Sequence, residues 1–329
     1  MSMLAPTLQA FFTDRLVRQR NASPNTIAAY RDAMKLLLGF TAERTGKSPS
    51  QLDIADVDAD LVAAFLDHLQ HERGNSVTTR NARLAAIRSL FRFAALRHPE
   101  HAAVIERVLA IPSKRAEQTL IDYLTNPEID ALLAAPDTTT WTGRRDHTLL
   151  VLAIQTGLRI SELTGLRCTD LHLGTGAHVA CYGKGRKERI TPLTRDTLGV
   201  LRAWLTERAG QPDDALFPTR RGTPLSRDAI ERRLTLYHRR AQQSCPSLHR
   251  KKLTAHVLRH TAAMRLLHAG IDTSVIALWL GHENVQTTQI YLKADLALKE
   301  RAVARTSPPN SIPGRYTPPD ATLAFLEGL

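Results

Sequence analysis

With 329 residues, 43% of them hydrophobic, the chain has the length for two packed cores, and 44 Lys and Arg against 32 Asp and Glu leave a formal charge of +12. That charge points to a polyanion, whether DNA, RNA or an anionic membrane surface, because each phosphate neutralised releases counterions. No apolar run approaches the ~20 residues of a membrane span, the opening MSMLAPTLQAFF lacks the pattern of a secretory signal, and Cys168, Cys181 and Cys245 show no CxxC spacing, which excludes a transmembrane protein, a disulfide framework and a structural zinc site and leads us to expect a cytoplasmic location.

From Leu8 to Arg20 the apolar Leu8, Phe11, Phe12 and Leu16 fall on one face, predicting a helix. Ser23-Pro24 supplies an N-cap with proline at the first helical position, and Ile27, Tyr30, Met34, Leu37, Leu38 and Phe40 carry the stripe of a second helix to Gly46. A third is expected from Asp60 to Arg73, closed by Gly74, and a fourth from Ser76 to Arg97, closed by Pro99. These four predict a helical bundle over residues 1–98. Its last helix sets Arg80, Arg83, Arg88 and Arg92 beside Leu84, Ile87, Leu90 and Phe91, either a DNA-contacting face or an ordinary solvated one. Residues 99–118, with two prolines and the basic Lys114 and Arg115, are expected to be an interdomain linker.

A second domain is expected over residues 119–305. Thr125 and Glu128 stand in capping-box spacing before a helix carrying Ile129, Leu132 and Leu133. A buried helix from Arg144 to Thr156 ends at Gly157, so Arg159 emerges at the mouth of the short helix ISELTGL, with Glu162 to support it. Strand-like residues in Ala177 to Tyr182 and Lys187 to Pro192 flank GKGR, a hairpin turn with Lys184 and Lys187 on or beside its tip. Helices follow from Thr194 to Arg208 and from Ser226 to Gln243. The latter bears Arg227, Arg232, Arg233, Arg239 and Arg240, a candidate groove or phosphate reader.

In HVLRH, His256 and Arg259 stand three apart on one helical face. A further helix from Thr273 to Leu280 stops at Gly281, and His282 follows directly. Tyr291 lies where its phenol can be brought toward His256, Arg259 and His282. A last helix is expected from Asp295 to Arg305; beyond it, in the proline-rich 306–329, SPPNSIPGRYTPPD cannot form a regular one, and only Ala321 to Leu326 regains an apolar amphipathic pattern.

Two imidazoles, guanidinium groups and a phenol suit phosphoryl transfer on a nucleic-acid backbone: Tyr as covalent nucleophile, Arg giving forked hydrogen bonds to phosphate oxygens. GKGRK lacks the spacing of a phosphate-cradling P-loop, and His256 with His260 has neither the glutamate of HExxH nor a third ligand. No metal, ATP or other cofactor is expected. Taken singly, each group has a plainer role: Arg159 in a salt bridge with Glu162, Lys184 as a solvated turn residue, His282 as a helix cap, His260 in packing or support, Tyr291 as a packed aromatic.

TGLRISEL at Thr156 to Leu163, YGKGRKER at Tyr182 to Arg189, HVLRH, LGH, and a Tyr nine residues beyond that His, all in this order, resemble the tyrosine recombinase (phage integrase) family, including its Xer-like and mobile-element members. The likeness runs from Leu8 to Arg305. It implies a mainly α fold with a small β-hairpin or sheet in the second domain, namely an N-terminal SAM-like, core-binding helical bundle followed by a catalytic domain. It further implies that Arg159 and Arg259 hold the scissile phosphate, that Lys184, with Lys187 as rival, protonates the leaving 5′ oxygen, and that His282 donates to the phosphate. His256 would accept the phenolic proton or donate to phosphate, and Tyr291 would be the nucleophile. The partners implied are a double-stranded DNA recombination site and three further copies of the chain, a homo-tetramer working through a four-way junction, the tail docking on a neighbour. A type IB topoisomerase-like enzyme and a noncatalytic DNA-binding accessory protein remain as alternatives. The SPNTxxxY and SVTTRNARLAAIR patterns speak against the first, and the joint presence of Arg159, Arg259 and Tyr291 against the second.

Overall fold

The computed structural model describes residues 4–116, 121–182 and 188–281, with Thr288 and Tyr291. The hairpin tip with Lys184 and Lys187, His282, the helix expected from Asp295 and the tail lie outside the described residues. The chain divides into two compact units, Met1–Thr119 and Leu120–Leu329. It is mainly helical with one small sheet, and no described helix is long and apolar enough to cross a membrane.

In the first unit α1 (Leu4–Ala10) runs on as wider π-helical turns over Phe11–Gln19, earlier than expected and with a looser pitch. The Arg20 N–H accordingly reaches back five residues, to the Arg15 carbonyl, at 3.0 Å. Helix α2 (Pro24–Thr45) is capped by the Ser23 side chain and ends on Gly46 at φ 68°. Asp58 and Ser76 cap α3 (Ala59–His71) and α4 (Val77–Ala95). The core gathers Phe11, Leu16, Leu37, Phe65, Leu84, Ile87 and Phe91.

A fifth helix, α5 (Ala102–Ala110), occupies much of the expected linker. Pro99 opens a 3-10 turn ahead of it, and Ile105 and Val108, one helical turn apart, are buried in the N-terminal core. The prolines thus bracket a helix. Beyond it the chain stays tied to α4, since Asn81 donates to the Lys114 carbonyl at 2.7 Å and accepts from its N–H at 3.1 Å.

In the second unit the Thr125–Glu128 capping box opens α6 (Asn126–Ala134), the Thr125 N–H donating to Glu128 at 2.8 Å. Helix α7 (Trp141–Thr156) passes through the core with Leu149, Leu150, Leu152 and Ile154 all buried, and α8 (Ile160–Gly165) follows. Strands β1 (Leu171–His172), β2 (His178–Tyr182) and β3 (Glu188–Pro192) form an antiparallel sheet in sequence order, with Val179 opposite Thr191 and Cys181 opposite Arg189. At two residues, β1 is too short to show an alternating pattern. Helices α9 (Arg195–Arg208), α10 (Arg227–Ser244), α11 (Ala255–His268) and α12 (Thr273–Leu280) complete the unit, with α7 packed against α9 and α11.

Candidate active site

The end of α7 places the first arginine. Gly157 takes φ 63°, and a Cβ there would lie 2.7 Å from Leu280 Cδ2 and 3.0 Å from Ala262 Cβ. Only glycine therefore lets this turn sit against α11 and α12. Arg159 caps α8: its backbone N–H donates to Glu162 Oε2 at 2.7 Å and its Nη1 to Glu162 Oε1 at 2.8 Å. Its Nη2 reaches the Gly281 carbonyl at 2.8 Å.

The second arginine, Arg259 on α11, is buried and donates to the carbonyls of Gly157 at 2.7 Å and Leu280 at 2.5 Å. Arg189 on β3, absent from the sequence expectations, donates to Glu162 Oε2 at 2.7 Å and to the Trp279 carbonyl. Three successive carbonyls at the end of α12, those of Trp279, Leu280 and Gly281, thus each accept from a different guanidinium. A helix C-terminus leaves such oxygens without intrahelical donors and carries partial negative charge, so three cations can be gathered there. Gly281, at φ 64°, also yields space: a Cβ would stand 2.8 Å from Arg189 Cδ.

The charges act on one another. Burial, then Arg159 and Arg189, bring the Arg259 pKa down to about 10, which still leaves it cationic at neutral pH. Burial pushes the Glu162 carboxyl up, but Arg189 and the Arg159 N–H and guanidinium outweigh it and hold the group below its ordinary value. Partial burial, then Arg259 and Arg159, lower the pKa of His256 and favour neutral imidazole. Burial pushes the Tyr291 phenol up to about 12 against the opposing pull of Arg259 and Arg159.

Tyr291 is 1% exposed and packs with Met264, Leu267, Ile276 and Leu280. Its hydroxyl lies 3.0 Å from Nδ1 of His260. The histidine that meets the phenol is thus His260, whereas His256 was expected either to accept the phenolic proton or to donate to phosphate. His256 and His260 stand one turn apart on α11, their ring centroids 4.3 Å apart, and the tyrosine meets the second.

Three of the arginines expected on the basic face of α4 are engaged within the unit. Arg80 is buried, Arg83 donates to the Ala29 carbonyl at 3.0 Å, and Arg88 donates to the Ile111 carbonyl. Because α2, α3 and α5 all pack on α4, these side chains are drawn into the unit. Arg92 instead joins Arg15, Arg20 and Arg97 around a cavity of about 300 Å³. On α10, Arg232 is exposed and Arg227 pairs with Glu231 at 3.0 Å, whereas Arg233 is half-buried and donates to Asp146 at 2.6 Å. Asp146 also accepts from Arg145 at 2.8 Å and from the Tyr237 hydroxyl, making a buried cluster that fastens α10 to α7. Its one sequence signal was the Arg145-Asp146 pair inside an apolar helix. Among the described residues no group of three or more His, Cys, Asp or Glu is disposed to hold a metal ion.

The phage integrase family model matches residues 122–297, and the model of the phage integrase N-terminal SAM-like domain matches residues 10–98. A Sinorhizobium fredii protein named as an integrase/recombinase, y4rC, is 55% identical over 99% of this chain and 98% of its own length. The tyrosine recombinase XerD of Pseudomonas aeruginosa is 32% identical over 94% of this chain and 99% of its own. Among solved structures, the XerH site-specific recombinase bound to palindromic difH substrate in a post-cleavage complex superposes with a TM-score of 0.70 at 24% identity, over 87% of this chain and 81% of that one. The Tn1549 transposon integrase in complex with circular intermediate DNA gives a TM-score of 0.70 at 18% identity, over 93% of this chain and 100% of that one. At these identities the structural likeness bears on the fold.

Proposed function

The chain belongs to the phage integrase family and is a tyrosine-type recombinase, and from that premise we propose that it exchanges DNA strands at specific sites through a phosphotyrosyl intermediate on Tyr291. The phenolic oxygen attacks the scissile phosphate, forms a 3′ phosphotyrosyl link and frees a 5′ hydroxyl. A 5′ hydroxyl from a partner duplex then attacks that link, so the phosphodiester energy is kept and neither ATP nor metal is needed.

Arg159 and Arg259 hold the nonbridging oxygens and offset the charge that builds up in the five-coordinate transition state. Each keeps N–H donors beyond those bound to backbone carbonyls. His256, as neutral imidazole, and His282 donate to the phosphate, and Lys184 protonates the leaving 5′ oxygen. Lys187 and the exposed Arg227 and Arg232 contact the DNA backbone. The substrate is double-stranded DNA in the cytoplasm, which the N-terminal helical unit helps to clamp. Four copies assemble around two duplexes, each tail docking on its neighbour.

The observation that carries this reading is the bonding of Arg159 and Arg259 to adjacent carbonyls, Gly281 and Leu280, close enough to Tyr291 for both charges to act on its phenol. The test is covalent trapping on a nicked suicide substrate carrying the recombination site. Tyr291→Phe should form no adduct while binding DNA within a few-fold of wild type; an undiminished adduct would remove Tyr291 from the reaction.

A further inference from the structure

We infer that His260, and not His256, accepts the phenolic proton when Tyr291 turns nucleophile, an assignment that rests on the function proposed above. The hydroxyl stands 3.0 Å from Nδ1 of His260, within proton-transfer reach. The rings meet edge to face at 67°, with centroids 5.5 Å apart, which turns the imidazole edge toward the oxygen. Tyr291 leaves almost no surface to bulk water, so a fixed acceptor has to do what solvent does for an exposed phenol. The need is real: at a pKa near 12 the phenol does not ionise by itself at neutral pH.

The two histidines divide the labour. His256 is the more open to solvent and feels Arg259 and Arg159 directly, which weakens it as a base and suits a neutral donor to a phosphate oxygen. His260 lies one turn further along α11, against the tyrosine. In cleavage the bond from the phenolic oxygen to phosphorus forms as the proton passes to Nδ1 of His260, which requires the tautomer with hydrogen on Nε2. The bond from phosphorus to the 5′ oxygen breaks, and that oxygen takes its proton from Lys184. In rejoining, the attacking 5′ hydroxyl returns a proton to Lys184 and the departing phenolate recovers its own from His260.

The experiment times adduct formation on nicked DNA that the wild-type protein traps. Absence of any wild-type adduct would sink the recombinase reading and this assignment with it. Given wild-type trapping, His260→Asn is the informative variant, because its amide oxygen can hold the hydroxyl but cannot take a proton. It should slow the adduct about 10²-fold or more, as should His260→Ala, with DNA binding retained. Replacing Tyr291 by a ring-fluorinated tyrosine, a more acidic phenol, should then restore much of the rate to His260→Asn and none to Arg259→Ala. A wild-type rate in His260→Asn would reduce His260 to a holder of the ring and overturn the assignment. So would rescue by fluorination of His256→Ala in place of His260→Asn.

Discussion

Glu162 accepts from Arg189 at 2.7 Å, and both side chains are nine-tenths or more out of water. Arg189 thereby takes one oxygen of a carboxylate whose other oxygen holds Arg159. Arg189→Ala would leave Glu162 to Arg159 alone and the Trp279 carbonyl without its donor. Breaking a buried pair on one side costs about 3 to 5 kcal/mol, so the denaturant midpoint should fall and adduct formation with it. Adding Glu162→Gln, whose amide oxygen still accepts the Arg159 N–H, should recover part of both losses. Strict additivity of the two substitutions in a double-mutant cycle would show that the pair is not coupled.

The same carboxylate makes stability depend on acid. Its pKa is depressed in the folded chain, so its contribution is complete above the ordinary value of 4.5 and fades as pH falls through the lower folded value. Glu128 and Asp56 are also depressed and act in the same direction. The informative quantity is therefore the difference between wild type and Glu162→Gln. Urea midpoints from about pH 6 to pH 3 should show that difference shrinking toward acid; a constant difference would refute the linkage.

Lys184 and Lys187 are separated by leaving-group chemistry. Lys184→Ala should be severely slow on ordinary DNA and near wild type when sulfur replaces the bridging 5′ oxygen, since a good leaving group needs no acid. Lys187→Ala should lose less, without rescue. Arg159→Ala and Arg259→Ala should each cost roughly 3 to 4 kcal/mol of transition-state stabilisation and stay slow on the thio substrate, because charge on the nonbridging oxygens persists. Rescue of Lys187→Ala instead would move the acid three residues along.

The basic helix α10 offers a contrast between neighbours. Arg232→Ala removes an exposed charge, so DNA binding should weaken at every sequence and the salt slope should drop by about one, with the melting temperature unchanged. Arg233→Ala takes a donor from buried Asp146 and should lower the melting temperature. Equal thermal loss in both variants would show that the Asp146 cluster does not distinguish them.

Helix boundaries were legible because caps are local chemistry: Ser23, Ser76, Thr125 and Ser226 all act as expected from a few residues of sequence. Arg159 and Arg259 stand in separate recognisable strings, and the structure brings both to the end of α12. Arg189 was not legible, because its partners lie 27 and 90 residues away and a strand arginine beside a basic turn reads as solvated. The contact of Tyr291 with His260 was equally hidden, because His256 and His260 face the same side of α11 and their spacing alone does not say which of them the phenol meets. The burial of Arg80 was hidden for the opposite reason: an alternating basic and apolar run suggests a surface, yet α4 is packed on several sides.

Holding three guanidiniums on the carbonyls that close α12 has a consequence for how the site is organised. Cations this close repel, and side chains of this length would otherwise sample many rotamers. Fixed oxygens of a rigid helix end, together with one carboxylate, supply the opposing charge before any substrate arrives. On the function proposed above, a phosphate entering here would meet dipoles already aimed, so little of its binding energy would be diverted to reorganisation, and the stabilisation would be available when charge develops at phosphorus.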